Sequence, residues 1–159
     1  LKSGDRVLDL GAAPGSWLQV ASEAVGPSGL VVGVDLSTIA FRAKNVVALK
    51  QDMLAPGIDR VAGKYGPFDA MLSDAAPATS GIKDRDQALS EELVDQALSL
   101  SEKHLAPGGS LVAKLFQSSE TAALARRAES MFKQVRLYKP KASRERSFET
   151  YLICLGKLS

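Results

Sequence analysis

The residues best suited to chemistry sit where apolar runs end. In Arg6-Val7-Leu8-Asp9-Leu10 a strand stops at Gly11-Ala12-Ala13-Pro14-Gly15-Ser16-Trp17, a small-residue loop that opens into a helix. Loops of this kind lie at the carboxyl edge of open α/β sheets, where ligands bind beside helix N-termini whose free N–H groups attract anions. Small side chains let a ligand approach the backbone closely. Asp35, followed by Leu36, ends the next apolar run about 20 residues on, where an acidic side chain accepts hydrogen bonds from ribose hydroxyls. A turn cap is its other reading. Asp52 ends a third run beside Met53, placing a carboxylate for an adenine amino group and a thioether for its ring; capping fits Asp52 as well. The set describes a site for a nucleotide-like cofactor.

The glycines choose among cofactors. They fall as Gly11-x-x-x-Gly15 with Pro14 between them, not as the G-x-G-x-x-G of dinucleotide loops. This disfavours NAD and favours S-adenosylmethionine, whose carboxylate the loop amides can serve. Three further ionisable residues stand at strand ends. Asp74 follows Phe68–Ser73, Lys114 interrupts Leu111-Val112-Ala113-Lys114-Leu115-Phe116, and Glu149 precedes Thr150-Tyr151-Leu152-Ile153-Cys154. A lysine inside an apolar strand is costly unless paired. Asp74 and Glu149 are its natural partners; an amine that snorkels to the sheet's end is the alternative.

Alternating strand and helix patterns must position these groups. Strands are predicted at Arg6–Leu10, Leu30–Asp35, Val46–Lys50, Phe68–Ser73, Ser110–Phe116, Val135–Tyr138 and Glu149–Gly156. Helices are predicted at Ser16–Val25, Ser37–Arg42, Ile58–Lys64, Gln87–Leu105, stopped by Pro107-Gly108-Gly109, and Ser118–Phe132. Such alternation gives a mostly parallel sheet with helices on both faces, here as one domain over residues 1–159. The irregular stretch Ala75–Asp86 falls on the ligand-binding edge, where long loops tend to be functional.

Composition narrows the class. At 159 residues, 45% hydrophobic and 24% charged, the chain has the make-up of a globular domain with its own core. No apolar run approaches the roughly 20 residues that span a bilayer, so no membrane partner is expected and the location reads as cytoplasmic. The one cysteine, Cys154, lies in an apolar run and reads as core; no ligand cluster for a metal is visible. The one histidine, His104, closes the long helix and suits its dipole. The net charge of +2 hides an asymmetry: residues 1–132 carry 13 basic and 16 acidic residues, residues 133–159 carry 7 and 2. A basic segment of this kind suits a phosphate backbone, or simply a solvated surface.

These motifs together resemble the FtsJ/RrmJ family of RNA 2′-O-ribose methyltransferases. The resemblance rests on Asp9–Trp17, Ser73–Pro77, Leu105–Ser110, Val112–Gln117, and Lys139-Pro140 through Ser147–Tyr151, in family order over nearly the whole chain. It implies a Rossmann-like class I methyltransferase fold, a seven-stranded sheet with an antiparallel last strand pair. It implies S-adenosylmethionine as cofactor, held by Gly11 to Trp17, Asp35, Leu36, Asp52, Met53 and Asp74. It implies a catalytic set of Asp74, Lys114 and Glu149, in which Lys114 acts as base or as the charge that steadies the developing alkoxide, without a metal. The family's further lysine lies on a helix ahead of Leu1, so the chain reads as truncated at its start. The expected partner is RNA, gripped by Lys139, Lys141, Arg144 and Arg146, and the chain reads as a monomer. The expected substrate is a uridine of 23S ribosomal RNA in the large subunit or its precursor, with transfer or other RNA as the alternative. An NAD-linked oxidoreductase is disfavoured by the glycine spacing and the ionisable set. A non-catalytic RNA-binding module is disfavoured by the retained Lys114.

Overall fold

A computed structural model describes residues 1–77, 80–141 and 149–159. In chain order its elements are β1 (Arg6–Leu10), α1 (Ser16–Val25), β2 (Leu30–Asp35), β3 (Val46–Lys50), α2 (Gly57–Tyr65), β4 (Phe68–Ser73), α3 (Lys83–His104), β5 (Leu105–Phe116), α4 (Thr121–Glu129), β6 (Phe132–Tyr138) and β7 (Glu149–Lys157). The strands form one sheet in the order β3-β2-β1-β4-β5-β7-β6. β1 pairs in parallel with β2 and β4, and parallel pairing continues outward to β3 and β5. β7 wedges between β5 and β6, antiparallel to both. The expected α/β sheet with its antiparallel end is therefore present.

Near-continuous apolar runs make these strands because a parallel sheet is covered on both faces. Leu8, Leu10, Val32, Val34, Met71, Leu111 and Leu115 turn to one face and join the residues that α2, α3 and α4 bury there. Val7, Val31 and Ala70 turn to the other and pack under Leu18, Ala21 and Val25 of α1. Successive strand residues alternate faces. Asp9, two residues past Val7, therefore points to the α1 face, as do Asp35 and Lys114 in their strands.

The structure corrects several expected boundaries. No helix forms over 37–42: the Ser37 N–H donates back to Asp35 Oδ1 at 2.8 Å in a local turn, and the Ala40 N–H donates to the Pro14 carbonyl at 3.2 Å, which ties the segment to the β1–α1 loop. α3 begins at Lys83, inside the stretch expected to be irregular, with Asp84 and Asp86 favouring the helix N-terminus. It ends at His104, and β5 already runs from Leu105 through Pro107-Gly108-Gly109, with a shift of register against β4 between Phe68 and Ala70. α4 is shorter than Ser118–Phe132 at both ends, and β6 takes Phe132 as its first residue. Among the described residues no helix is long and apolar enough to cross a membrane.

Candidate active site

The β1–α1 loop is built before any ligand is considered. The Gly11 and Ala12 N–H groups both donate to the Val34 carbonyl, at 2.9 and 3.0 Å, which ties the loop to β2. The Ala13 N–H donates to Asp35 Oδ2 at 3.0 Å. Asp35 thus staples the two loops through one carboxylate, so the capping reading holds for it, and free lone pairs remain for further donors. Gly11 has φ +72°, and a Cβ there would lie 2.6 Å from the Ala75 Cα; Gly15 has φ +129°, and a Cβ would lie 2.5 Å from that of Phe41. The glycines are therefore demanded by close protein neighbours, the segment after β4 and Phe41, as well as by backbone conformation.

A cavity of about 520 Å³ opens beside this loop. Of the expected cofactor residues, Gly11, Ala13, Asp35, Leu36, Asp52, Met53 and Asp74 line it together. Ala12 is buried with its N–H spent on Val34, Pro14 is exposed, Gly15 is buried against Phe41, and Ser16 is exposed at the start of α1. Trp17 stacks on Tyr151, ring centroids 5.9 Å apart and planes at 28°. These five residues shape the wall from behind and do not line the cavity. Asp52 Oδ1 accepts the Leu54 N–H at 2.8 Å, and Gln96 Nε2 of α3 donates to the Met53 carbonyl at 2.8 Å, so the β3 loop is held from both sides.

Lining residues that sequence reasoning passed over include Val34 and Gln51 and, from the first half of α3, Arg85, Leu89 and Leu93. The i, i+4, i+8 spacing of the α3 residues puts them on one helix face, but the same pattern reads equally well as core. Leu54 joins them, giving the cavity an apolar floor of Leu54, Leu89 and Leu93.

The reactive corner lies where β4 and β5 end. Lys114 Nζ is 3.3 Å from Asp74 Oδ1, with the lysine side chain 14% exposed and the aspartate 33%. This is an ion pair rather than a hydrogen bond, because Asp74 Oδ1, itself buried, accepts none. Tyr151 faces Lys114 across the β5–β7 pairing and Glu149 faces Phe116, so Glu149 sits on the same face as Lys114, one step along β7. The Tyr151 phenol is pushed above its ordinary value, first by burial, then by the charges of Asp74 and Glu149. The expected set of Asp74, Lys114 and Glu149 thus gathers on one sheet edge.

Asp9 is the other residue that sequence reasoning passed over. It is fully buried, neither side-chain oxygen has a hydrogen-bond partner, and its carboxyl is pushed up to about 8. Burial is the main cause, followed by the charges of Asp74 and Asp35. A carboxylate in the middle of Val-Leu-Asp-Leu was the available signal.

Lys139 and Lys141 are exposed just beyond β6, on the side of the sheet where β7 meets the reactive corner. Arg144 and Arg146 lie outside the described residues. Burial pushes the Cys154 thiol up to about 12, consistent with a core role. His104 Nε2 lies 2.9 Å from Asp59 Oδ1, joining α3 to α2 at the far end of the sheet. Among the described residues no cluster of three or more His, Cys, Asp or Glu side chains could hold a metal ion.

The donor set fits S-adenosylmethionine. That molecule has no phosphate; its sulfonium and ammonium outweigh its one carboxylate, and it presents hydroxyl and amino donors and an adenine ring, while the Gly11, Ala12 and Ala13 N–H groups expected to serve the carboxylate are already spent on Val34 and Asp35. The cavity offers three carboxylates, of Asp35, Asp52 and Asp74, together with an apolar floor, and has one basic residue, Arg85. A pyrophosphate would meet more negative charge than positive there.

Comparison with known proteins agrees. The ribosomal RNA large subunit methyltransferase E of Syntrophobacter fumaroxidans is 51% identical over 155 residues, covering 96% of this chain and 79% of that protein. A Plasmodium falciparum crystal structure described as a ribosomal RNA methyltransferase superposes with a TM-score of 0.84 at 26% identity, covering 99% of this chain and 89% of the other. Human methyltransferase-like protein 13, in complex with SAH, shares the fold at a TM-score of 0.69 and 16% identity, over 98% of this chain and 75% of its own. The FtsJ-like methyltransferase family model matches residues 1–157, and with this sheet order and this edge of charged residues the chain belongs to the FtsJ-like methyltransferase family.

Proposed function

We propose that the chain transfers the methyl group of S-adenosylmethionine to a ribose 2′-hydroxyl of large-subunit ribosomal RNA. The observation that carries this reading is the ion pair that Lys114 makes with Asp74, a residue of the cavity wall. The cofactor supplies an electrophilic methyl carbon on a sulfonium. The chain's residues do the rest. Asp35 and Asp52 accept hydrogen bonds from the cofactor's ribose and adenine, Leu36 and Met53 pack on its ring, and Asp74, whose Oδ1 is paired with Lys114, adds its negative charge to the cavity wall. Lys114, held by Asp74 and flanked by Glu149, sets the 2′-hydroxyl in line with the methyl carbon. A sulfonium bound there would give its methyl to the 2′-oxygen and keep the bonding pair as a neutral thioether, and the hydroxyl proton would pass to the neighbouring Glu149 carboxylate or to water, because a charged Lys114 has no lone pair to accept it. A fixed charge there steadies the developing alkoxide, and such placed charges commonly account for several kcal/mol of barrier lowering. RNA is the fitting polymer because the reacting group is the one DNA lacks. Lys139, Lys141, Arg144 and Arg146 give the basic segment that tracks its phosphates.

The test is methyl transfer from labelled S-adenosylmethionine to large-subunit ribosomal RNA, with Lys114→Ala as the variant. Transfer should fall at least a hundredfold while cofactor affinity, measured by calorimetry, stays within about twofold, because Lys114 acts on the hydroxyl and does not line the cavity. Transfer that survives in the variant removes Lys114 from the mechanism. Binding of NADH in place of S-adenosylmethionine overturns the whole reading.

A further inference from the structure

The pairing of three neighbouring strands lays Lys114, Tyr151 and Tyr138 in one row. Lys114 is opposite Tyr151 across β5 and β7, and Tyr151 is opposite Tyr138 across β7 and β6. Directly paired residues share a face, with Cβ atoms about 5 Å apart, so Tyr138 stands about 10 Å from Lys114 on the same surface. The middle position is taken, since Tyr151 is half-buried and already carries the Trp17 ring. The outer one is open: Tyr138 is 51% exposed at the end of edge strand β6. Its backbone is nevertheless fixed, because the hydroxyl of buried Thr150 donates to the Tyr138 carbonyl at 2.9 Å. Arg136, exposed two residues back on the same face, and Lys141 beyond the strand set cations on either side.

A rigid, half-exposed ring between cations, one strand away from the reacting corner, is the combination that single-stranded nucleic-acid sites use: charge for the backbone and an aromatic face for a base. We propose that Tyr138 is a base-stacking platform for the substrate RNA, receiving an unpaired base at or next to the methylated nucleotide. The proposal rests on RNA being the substrate. It adds a contact that reads the base, where the basic segment reads only phosphate.

The experiment compares two fluorescent 12-nucleotide probes by anisotropy, oligouridine and an abasic ribose-phosphate strand of the same length and charge. Their affinity ratio isolates base contact, because the phosphate contribution cancels. The unmodified protein should prefer oligouridine at least about fivefold, the lower end of one stacking contact. Tyr138→Phe should keep that ratio and Tyr138→Ala should bring it below about twofold, with urea midpoints unchanged. A ratio that survives in Tyr138→Ala overturns the proposal, and so does a wild-type ratio near one. Either result beside intact methylation of ribosomal RNA sinks the platform alone. Failure to bind either probe, together with no methylation, sinks the RNA reading as well.

Discussion

Replacing Asp9 by Asn should make the protein's stability less sensitive to pH between about 4 and 8. Asp9 is fully buried in β1, and its carboxyl titrates near 8 in the folded chain against an ordinary 3.8. Between those values the unfolded chain has lost the proton and the folded chain keeps it. Folding then takes up a proton, so the stability that a neutral Asp9 allows is full below about 4 and is lost as pH rises toward 8. A shift of roughly four units at about 1.4 kcal/mol each comes to on the order of 6 kcal/mol across the window, a large share of the 5–15 kcal/mol that holds a domain of this size. Asn keeps the shape and cannot ionise, so the difference between the two proteins cancels every other titrating group. Urea unfolding at pH 5, 6 and 7 should show the wild type losing about 1.4 kcal/mol per unit relative to Asp9→Asn. Parallel stability curves over that range would refute the claim that this carboxyl is buried and unpaired.

The loop predictions are smaller in scale. Gly11→Ala puts a Cβ 2.6 Å from the Ala75 Cα at a residue with φ +72°, so it should cost at least about 2 kcal/mol by urea unfolding and weaken cofactor binding, since Asp74 adjoins Ala75. Asp35→Ala frees the Ala13 and Ser37 N–H groups; cofactor affinity should fall about tenfold or more by calorimetry, and unchanged affinity would leave Asp35 with a purely structural role. Leu89→Asp turns a carboxylate onto the apolar floor, and binding of adenosine alone should weaken with it; an unaltered adenosine affinity would move the ring elsewhere in the cavity.

How far the sequence could be read follows from which forces act locally. Strands β1 to β4 matched their predicted limits because each is an apolar run closed by glycine, proline or a carboxylate, signals that need no tertiary context. The stretch 37–42 has helix-like composition, yet its Ala40 N–H goes to the Pro14 carbonyl, a partner in the β1–α1 loop that the local sequence does not announce. α3 gained its first turn over Lys83–Asp86, where no apolar periodicity marks it; Asp86 accepts the Ser80 N–H at 3.0 Å and anchors the turn to the preceding segment. The site divides in the same way. That Asp74, Lys114 and Glu149 come together on one sheet edge could be expected from their places at or near the ends of apolar strands, where a charged residue has few structural excuses.

Glycines 11 and 15 are legible as a loop but misleading as to cause. The sequence suggests room for a ligand, while the structure finds Ala75 and Phe41 in the space their missing side chains leave. That close approach has a functional consequence. It sets the β1–α1 loop against the segment after β4, so the backbone that lines the cavity is packed directly beside the segment that carries Asp74, the partner of Lys114. Asp9 lies beneath that junction, close enough to Asp74 and Asp35 that their charges raise its pKa. Kept protonated at neutral pH, it removes one negative charge from beside the two carboxylates, of Asp74 and Asp35, that would otherwise repel it. A cationic ligand seated among those carboxylates would offset the charges that hold the Asp9 proton in place. Cofactor binding should then release a fraction of a proton near pH 7. Calorimetry in buffers of different ionisation enthalpy reads that fraction directly, and Asp9→Asn should abolish it. Equal proton release in both proteins would separate Asp9 from the site and leave its buried charge a matter of folding alone.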